Sequence, residues 1–409
     1  MALSAPAGVI PDHVPAGLVH EFAVETVPGA EQDAVLAVAQ AARGLPDVFY
    51  SPTARRGQGG WIVTRHALQR EVLQDGLTFS SRHNADFSTL IGETWPMLPL
   101  EADGPEHLEW RKLLNPVFSP ARMAKLEGEI EQLAKDLVDG IAKNKEVEFV
   151  REFAAIFPVK IFLKMFGLPL GHAEQLVHWE NLLIHSHDMV GRQEGAYNIV
   201  KYLRAAIAER LANPSDDLIT YVVTARVQGR ALTQDEMIGV CFLLYSAGLD
   251  TVTNMLGFLF KHLAEHPEQQ QQLRDDPALI PAALEELLRA YPIIISSRLA
   301  TRDVEFHGAP IKAGDAVVIP MMLAGRDEQE FESPDRVDFT REKVDHITFA
   351  AGPHRCIGSH LARRELKIAL ETWLQRIPPF SIREGGEAVS SAYGVFGVTS
   401  LPLIWDYSA

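Results

Sequence analysis

The 409-residue chain is predicted to be mainly α-helical with small β-sheets, in a single domain. Helical hydrophobic spacing dominates residues 121–212 and again 233–265, whereas the β-branched extended segments are short. No Ser/Gly-rich linker, repeat or low-complexity tract divides the chain, and 47% hydrophobic residues can bury a large core. We therefore expect one domain over residues 1–409, with a mixed α/β part at 1–100 and a helical body at 101–409.

Charge and cysteine content exclude several classes of protein. The net charge of -16 disfavours nucleic acid and anionic membrane surfaces as partners. Cys241 and Cys356 lie far apart, so no disulfide framework is indicated. Residues 1–22 contain three prolines and two acidic residues, and they lack the basic and apolar regions of a signal or anchor. We expect a cytoplasmic protein with no membrane partner.

The long helix predicted at residues 233–265 begins with a capping box formed by Thr233 and Glu236. At about 1.5 Å per residue it would be about 50 Å long, enough to cross the molecule. Its middle places Asp250 and Thr251 among apolar residues, although both are poor helix formers that need partners when buried. A threonine hydroxyl can bond the carbonyl one turn back, which would be a purely structural role.

A second conspicuous segment, residues 349–358, places Cys356 in a loop with two glycines directly before a helical run. Most free cysteines are small core residues. Here, however, His354 and Arg355 precede the sulfur, and a helix N-terminus is where thiol pKa values fall. We therefore expect the Cys356 thiolate to be stabilised.

The pattern F-x-x-G-x-H-R-C-x-G, from Phe349 to Gly358, resembles the haem-binding loop of the cytochrome P450 family. The chain is most similar to the soluble bacterial class and, within it, to the camphor 5-monooxygenase branch. The resemblance implies a triangular-prism-like domain in which a long central helix lies over haem b, iron protoporphyrin IX. It implies that Cys356 is the metal ligand and that Phe349, His354 and Gly358 contact the cofactor.

Within the long helix, A-G-x-D-T resembles the oxygen-activation motif of the family. The resemblance implies that Gly248 lets dioxygen and substrate approach the backbone, that Thr251 hydrogen-bonds the oxygen being activated, and that Asp250 relays protons. Burial would raise the pKa of an unpaired Asp250. We further hypothesise that His185 reaches Asp250 as a gating partner.

Three residues match the propionate-binding groups of the family. His107 and Arg111 lie four apart on one helix face and offer two adjacent donors for a carboxylate, and Arg298 follows an extended segment. A helix-surface ion pair is the alternative for His107 and Arg111.

The E-x-x-R motif formed by Glu286 and Arg289 would be a weak surface pair if it stood alone. The resemblance implies instead a buried structural network behind the haem. Its third member is predicted to be Arg336, in a later P-x-R segment.

The irregular stretch 79–98 is predicted to roof the substrate pocket, as it does in the camphor branch. That branch places a tyrosine there to bind the substrate ketone, and Trp95 takes its position here, with a core aromatic as the alternative. The predicted pocket is mostly apolar and suits a compact terpenoid or norisoprenoid, with a ketone meeting Trp95 or Ser246. The predicted substrate residues are Trp95, Phe87, Leu243, Ser246, Ala247, Ile294, Ile295, Val395 and Phe396.

The implied function is a haem-thiolate monooxygenase that hydroxylates this substrate with O2. Electrons would come from a 2Fe–2S ferredoxin served by an NADH-dependent reductase, and the protein would be a monomer. A basic cluster would dock the ferredoxin: Lys343, His354, Arg355, Arg363, Arg364 and Lys367. A peroxide-driven peroxygenase and a haem sensor or storage protein remain alternatives.

Overall fold

The computed structural model describes residues 8–82 and 87–406, and these are mainly helical with small sheets, which confirms the predicted fold class. The described α-helices are α1 Ala30–Ala41, α2 Ala54–Gly57, α3 His66–Gln74, α4 Gly104–Leu114, α5 Pro120–Ala124, α6 Glu127–Ile141, α7 Phe157–Phe166, α8 Ala173–His185, α9 Met189–Ala212, α10 Leu218–Val223, α11 Gln234–Leu249, α12 Thr251–Glu265, α13 Pro267–Asp275, α14 Ile280–Ala290, α15 Met321–Gly325 and α16 Ser359–Arg376. Short 3₁₀ segments and one π-helical turn, Val150–Ala154, lie between them.

The strands are short and form five small sheets in the described ranges. They are β1 Val48–Ser51, β2 Gly60–Val63, β3 Phe79–Ser80, β4 Glu146–Glu148, β5 Arg226–Val227, β6 Arg230–Ala231, β7 Ile295–Ala300, β8 Val304–Phe306, β9 Ala309–Ile311, β10 Ala316–Pro320, β11 Phe380–Ile382, β12 Val389–Ser391, β13 Gly397–Ser400 and β14 Pro402–Trp405. The largest sheet has the order β1-β2-β10-β7-β3, and β7 runs antiparallel to β10 with Arg298 opposite Val317. The other sheets are β11-β14-β4 and the pairs β12-β13, β5-β6 and β8-β9.

The predicted central helix is two helices, α11 and α12, that meet at Asp250. The capping box at its start is confirmed, because Thr233 and Glu236 each bond the other's backbone N–H. The break follows from two hydroxyls that compete for helix carbonyls: Thr251 donates to Ala247 O at 3.0 Å and Thr253 donates to Leu249 O at 3.2 Å. Continuous helical periodicity in the sequence did not reveal this interruption.

The segment Gln234–Glu265 is long and apolar enough to cross a membrane by length and composition. However, 67% of its most apolar window is buried inside the protein. It is therefore the core helix pair of the fold.

An aromatic cluster fixes α12 and α16 relative to each other. The ring of Trp373 in α16 lies 5.1–5.4 Å from the rings of Phe149, Phe153 and Phe260, and the ring of Phe260 belongs to α12. Large buried rings contribute much of the apolar burial in such a core. As a result, the two helices that border the candidate site are held by packing on its far side.

The E-x-x-R motif forms a buried network, but its third arginine is not the predicted one. Glu286 accepts from Arg289 at 2.7 and 2.8 Å and from Arg341 Nε at 3.1 Å. The side chain of Arg336 is 75% exposed, and only its carbonyl oxygen takes part, by accepting from Arg289. The prediction of Arg336 was wrong because the chain turns after Pro334 and directs that side chain outward.

Arg341→Ala is expected to destabilise the protein more than Arg336→Ala. Loss of charge-assisted hydrogen bonds to buried Glu286 should cost about 1–3 kcal/mol, whereas loss of an exposed side chain should change stability by no more than about 0.5 kcal/mol. Urea unfolding of the two variants measures the difference. Equal losses of stability in the two variants would mean that the side chain of Arg336 also belongs to the network.

Candidate active site

The loop that carries Cys356 is shaped by two positive backbone angles. Ala350 has φ 58° and Gly352 has φ 69°, and the N–H of Cys356 donates to Phe349 O at 2.8 Å. A Cβ at Gly352 would lie 2.6 Å from the carbonyl oxygen of Leu73 at the end of α3, so only glycine fits there. The loop then enters α16 and directs Cys356 into a cavity bordered on its other side by α11 and α12.

Cys356 is accessible because its side chain faces this cavity, although protein surrounds it. Burial raises the pKa of its thiol, and this outweighs the opposing effects of the Gly358 N–H and of the charges on Arg111, Arg355 and Arg363. The expectation that these groups alone would stabilise the thiolate was wrong. A metal cation in the cavity would supply the missing positive charge, since a coordinating thiol is deprotonated by its metal.

One helical face lines the opposite side of the cavity. Its members recur at helical spacing and are Leu244, Ala247, Gly248, Thr251, Val252 and Met255. The hydroxyl of Thr251 is bonded to Ala247 O in the structure, which is the alternative that its sequence also allowed. Gly248 accommodates the ring of Phe162, which lies 2.4 Å from the position of a Cβ. Gly248 thus permits α7 to pack closely against α11. Its predicted role, which is to let dioxygen approach the helix backbone, stays a prediction.

Asp250 is paired with His185, as hypothesised from the sequence. His185 Nε2 lies 3.2 Å from both of its carboxylate oxygens, so the hypothesised contact between the two residues is present. Burial lowers the pKa of His185, but the hydrogen bonds and charge of Asp250 and the carbonyl of Tyr393 outweigh it and raise the pKa. The stabilisation that protonated His185 gives the pair is therefore present below its ordinary pKa and is lost as pH rises through the raised pKa.

Arg298 is a buried cation without an acidic partner. It is 2% exposed, and its Nη1 donates to Ser296 Oγ at 2.9 Å and to Ser297 O at 2.7 Å. Within residues 8–82 and 87–406 no carboxylate forms an ion pair with it, and burial lowers its pKa to about 10. Such a cation next to a cavity is suited to an anionic group of a ligand.

Two histidines lie beside Arg298. The ring centroids of His107 and His354 lie 4.0 Å apart with the rings tilted by 37°, and burial together with nearby positive charge lowers their pKa values to about 4 and about 3. Both are therefore neutral at pH 7. His107 Nε2 is buried and has no hydrogen-bond partner among the described residues.

These groups fit a haem. Cys356 supplies a thiol, Arg298 a buried positive charge, and His107 an unpartnered ring nitrogen, as required by an iron and two propionates. Arg111 instead supports the loop: it donates to Arg355 O at 2.8 Å and to Asn115 Oδ1 at 2.9 Å. Its propionate contact stays a prediction.

Of the predicted substrate residues, only Ala247 and Ile294 line this cavity. Leu243 and Ser246 are absent from the lining because they lie on the neighbouring face of α11. Ile295 is absent because side chains alternate along an extended chain, and Ile294, Ser296 and Arg298 are the ones that reach the cavity. The remaining predicted residues contribute no lining here, and they are Phe87, Trp95, Val395 and Phe396. Phe396 is fully buried and its N–H bonds Ile293 O.

Trp95 does not present its N–H to the cavity. It is 2% exposed, donates to Glu93 at 2.5 Å, and packs against Phe242. Glu93 in turn pairs with Arg204 of α9. Trp95 is therefore the core aromatic that was the alternative, and it anchors the loop after Phe87 to α9.

Two buried acids were missed in the sequence. Glu365 lines the cavity, and burial raises its pKa well above the ordinary value. Glu180 is 2% exposed on α8. The periodicity could have revealed Glu180, because it lies on the buried stripe of α8 between Leu176 and Leu183.

The predicted basic cluster is largely neutralised. Four members form ion pairs, which are Arg363 with Glu285, Arg364 with Glu127, Lys367 with Glu371, and Lys343 with Glu330. His354 is buried and neutral, so it does not belong to the surface. Arg355 is exposed, and no acid pairs with it in the described part of the chain. Burial, and then the charges of Arg355, Arg363 and Arg364, lower the pKa of nearby His360, so the surface remains locally positive.

Comparisons with known proteins agree with this geometry. A sequence model of the family described as Cytochrome P450 matches residues 184–382. The chain is 43% identical over 402 residues to probable cytochrome P450 127A1 of Sinorhizobium fredii, and the matched residues cover 97% of each chain. The crystal structure of cytochrome P450 CYP101C1 is 34% identical, with a TM-score of 0.87, covering 97% of this chain and 100% of that one. The crystal structure of CYP101J2 is 33% identical with the same TM-score, covering 97% and 99%.

Arg298→Gln is expected to weaken retention of haem. Loss of one charge-assisted hydrogen bond, about 1.5–3 kcal/mol, corresponds to haem loss about 10–150 times faster. Transfer to an excess of apo-globin measures this rate. Arg302→Gln is the matched control, because that arginine is exposed and bonds Thr78. Equal rates in the two variants would remove Arg298 from the cofactor site.

Proposed function

The chain belongs to the cytochrome P450 family and is a haem-b monooxygenase, and we propose that it hydroxylates a small hydrophobic substrate with electrons from a 2Fe–2S ferredoxin. The observation that carries the proposal is the single cavity that has Cys356 on one side and Thr251 on the other. Bound there, the haem supplies the redox and oxygen-insertion chemistry, and a thiolate ligand favours O–O cleavage. The protein contributes binding, orientation and control of protons.

The proposed route for protons runs through Asp250 to Thr251. Asp250 is 8% exposed and contacts His185, whose other ring nitrogen lies near Tyr393 O, so the pair lies between α8 and the residue that precedes Thr251. Thr251 presents its hydroxyl at the cavity and shares it with Ala247 O. A hydroxyl in this position can both accept a proton from an acid and donate one to a bound molecule. This arrangement supports a monooxygenase that draws its protons from solvent.

The proposed substrate is a compact terpenoid or norisoprenoid. The cavity lining is mainly apolar, including Leu244, Ala247, Phe162 and Ile294, so shape and burial would select the ligand. Recognition of a ketone by Trp95 or Ser246 is not part of this proposal, because both groups already donate to carboxyl groups, those of Glu93 and Glu180. A ketone would bind through the fit of its hydrocarbon body.

The proposed electron donor docks at the surface below Cys356. On this surface Arg355 is exposed, and no acidic residue in the described part of the chain pairs with it. It directly precedes Cys356 in the sequence. The acidic surface of a ferredoxin would be steered to such a charge. We also propose a cytoplasmic monomer that uses an NADH-dependent reductase and O2.

Thr251→Ala is expected to lower the product formed per NADH consumed by about tenfold or more, since a lost proton-transfer group commonly costs more than this. Product and NADH are measured together under turnover. Thr253→Ala is the matched control, because that hydroxyl bonds Leu249 O and Ala154 O away from the cavity. Unchanged coupling in the Thr251 variant would contradict the proton route and favour a peroxide-driven enzyme.

Arg355→Glu is expected to raise the KM for a bacterial 2Fe–2S ferredoxin about threefold or more and to weaken its dependence on salt. Arg363 and Arg364 are unsuitable test sites, because each already forms an ion pair, with Glu285 and Glu127, and a change there would also disturb the packing of α16. Arg302→Glu, an exposed change on the β7 side, is the control. An unchanged KM in the Arg355 variant would mean that the ferredoxin docks on another surface.

A further inference from the structure

Helix α8 is attached to α11 and its junction with α12 by three polar contacts in a row. The hydroxyl of Tyr245 donates to Leu176 O at 2.6 Å, and the hydroxyl of Ser246 donates to Glu180 Oε1 at 2.6 Å. The third contact is the pair of His185 and Asp250. The carboxyl group of the third contact is paired with a histidine, whereas the middle contact buries a carboxyl group that accepts only from a hydroxyl.

The surroundings of Glu180 do not compensate a negative charge. Its side chain is 2% exposed, Oε2 has no hydrogen-bond partner among the described residues, and no lysine or arginine there forms an ion pair with it. Leaving a carboxylate in this position would be costly.

The charged groups near Glu180 come from more than one element. Asp250 at the α11/α12 junction repels a charge on Glu180, and His185 on its own helix attracts one. Tyr245 directs its hydroxyl at Leu176 O rather than at Glu180. On the other face of α8, α9 approaches backbone to backbone at Gly195, and Arg192 donates to Leu183 O. None of these supplies a cation in contact with the carboxyl group.

We propose that Glu180 is a protonated carboxylic acid that holds α8 against α11, and that closing this interface takes up one proton from solvent. The inference deepens the proposed function and rests on it, since α8 is bonded to α11, which lines the cavity, and helices beside an active site can open to admit substrate. On opening, Glu180 becomes hydrated and releases the proton to water. Ser246, predicted earlier as a substrate contact, is instead the partner of this acid.

The direction of the pH dependence follows from linkage. Burial raises the pKa of Glu180 from an ordinary 4.5 to about 8 in the closed structure, with Ser246 and His185 opposing and Asp250 adding to the shift. The contribution to closure is complete below about pH 4.5, declines as pH rises, and is lost above about pH 8. Because the pKa of His185 is also raised in the closed structure, His185 also makes closure weaker as pH rises, but only at pH values above its ordinary pKa of 6.5. Between about pH 5 and about pH 6.5, Glu180 therefore acts without His185.

The first test is infrared spectroscopy of the resting ferric protein, as a difference between the native chain and Glu180→Gln. Glutamine keeps an oxygen that accepts from Ser246 and cannot titrate. We expect a band of a protonated carboxyl group at neutral pH that is absent in the variant and disappears as pH rises through about 8. Absence of a difference band at pH 6–7 would show that Glu180 is ionised and would overturn the proposal.

The second test is hydrogen exchange of the α8 amides between about pH 5 and about pH 6.5, corrected for intrinsic rates. The opening constant of the native protein should rise about tenfold per pH unit, and that of Glu180→Gln should be flat. Glu174→Gln, an exposed change on the same helix, should follow the native protein. A native slope retained in Glu180→Gln would overturn the proposal.

Ser246→Ala provides a variant independent of any change at Glu180. Because the Ser246 hydrogen bond lowers the pKa of Glu180, its loss should move the disappearance of the infrared band to higher pH. An unchanged titration would contradict the contact. All three measurements use resting protein without substrate or ferredoxin, so a failure of the proposed monooxygenase activity would leave their outcome intact.

Discussion

The cavity depends on more positive charge at Cys356 than the surrounding protein supplies. Burial keeps the pKa of its thiol high in spite of Arg111, Arg355 and Arg363, so an iron in the cavity is what would hold the thiolate. The same cavity contains the opposite imbalance at Arg298, a buried cation with no acid paired to it among the described residues. A haem, with a cationic centre and anionic propionates, balances both.

The rest of the fold holds Cys356 and Arg298 at the same cavity. The Trp373 cluster fixes α16 against α12, and the Glu286 network fixes α14 against the segment that carries Arg341. Thr251, the first residue after the break at Asp250, lines the cavity, and His185 of α8 contacts Asp250.

Much of this was predictable from the sequence, because it depends on local patterns. The helical fold and the capping box at Thr233 follow from periodicity and local motifs, and the placement of Cys356 and Thr251 at one cavity was implied by the resemblance to the cytochrome P450 family. Contacts set by long-range geometry were not. Sequence spacing could not show that Arg341 would replace Arg336 or that Glu93 would take the N–H of Trp95. Nor could the helix pattern show that two threonine hydroxyls interrupt the central helix.

The difference spectrum of the reduced protein with carbon monoxide tests ligation by Cys356 most directly. Ligation by the Cys356 thiolate predicts a strongly red-shifted Soret band in native protein and the loss of that band in Cys356→His. The same band in Cys356→Ser at full intensity, or a native band at the shorter wavelength of histidine-ligated haem, would mean that Cys356 is not the working ligand. The sensor or storage alternative would then replace the monooxygenase.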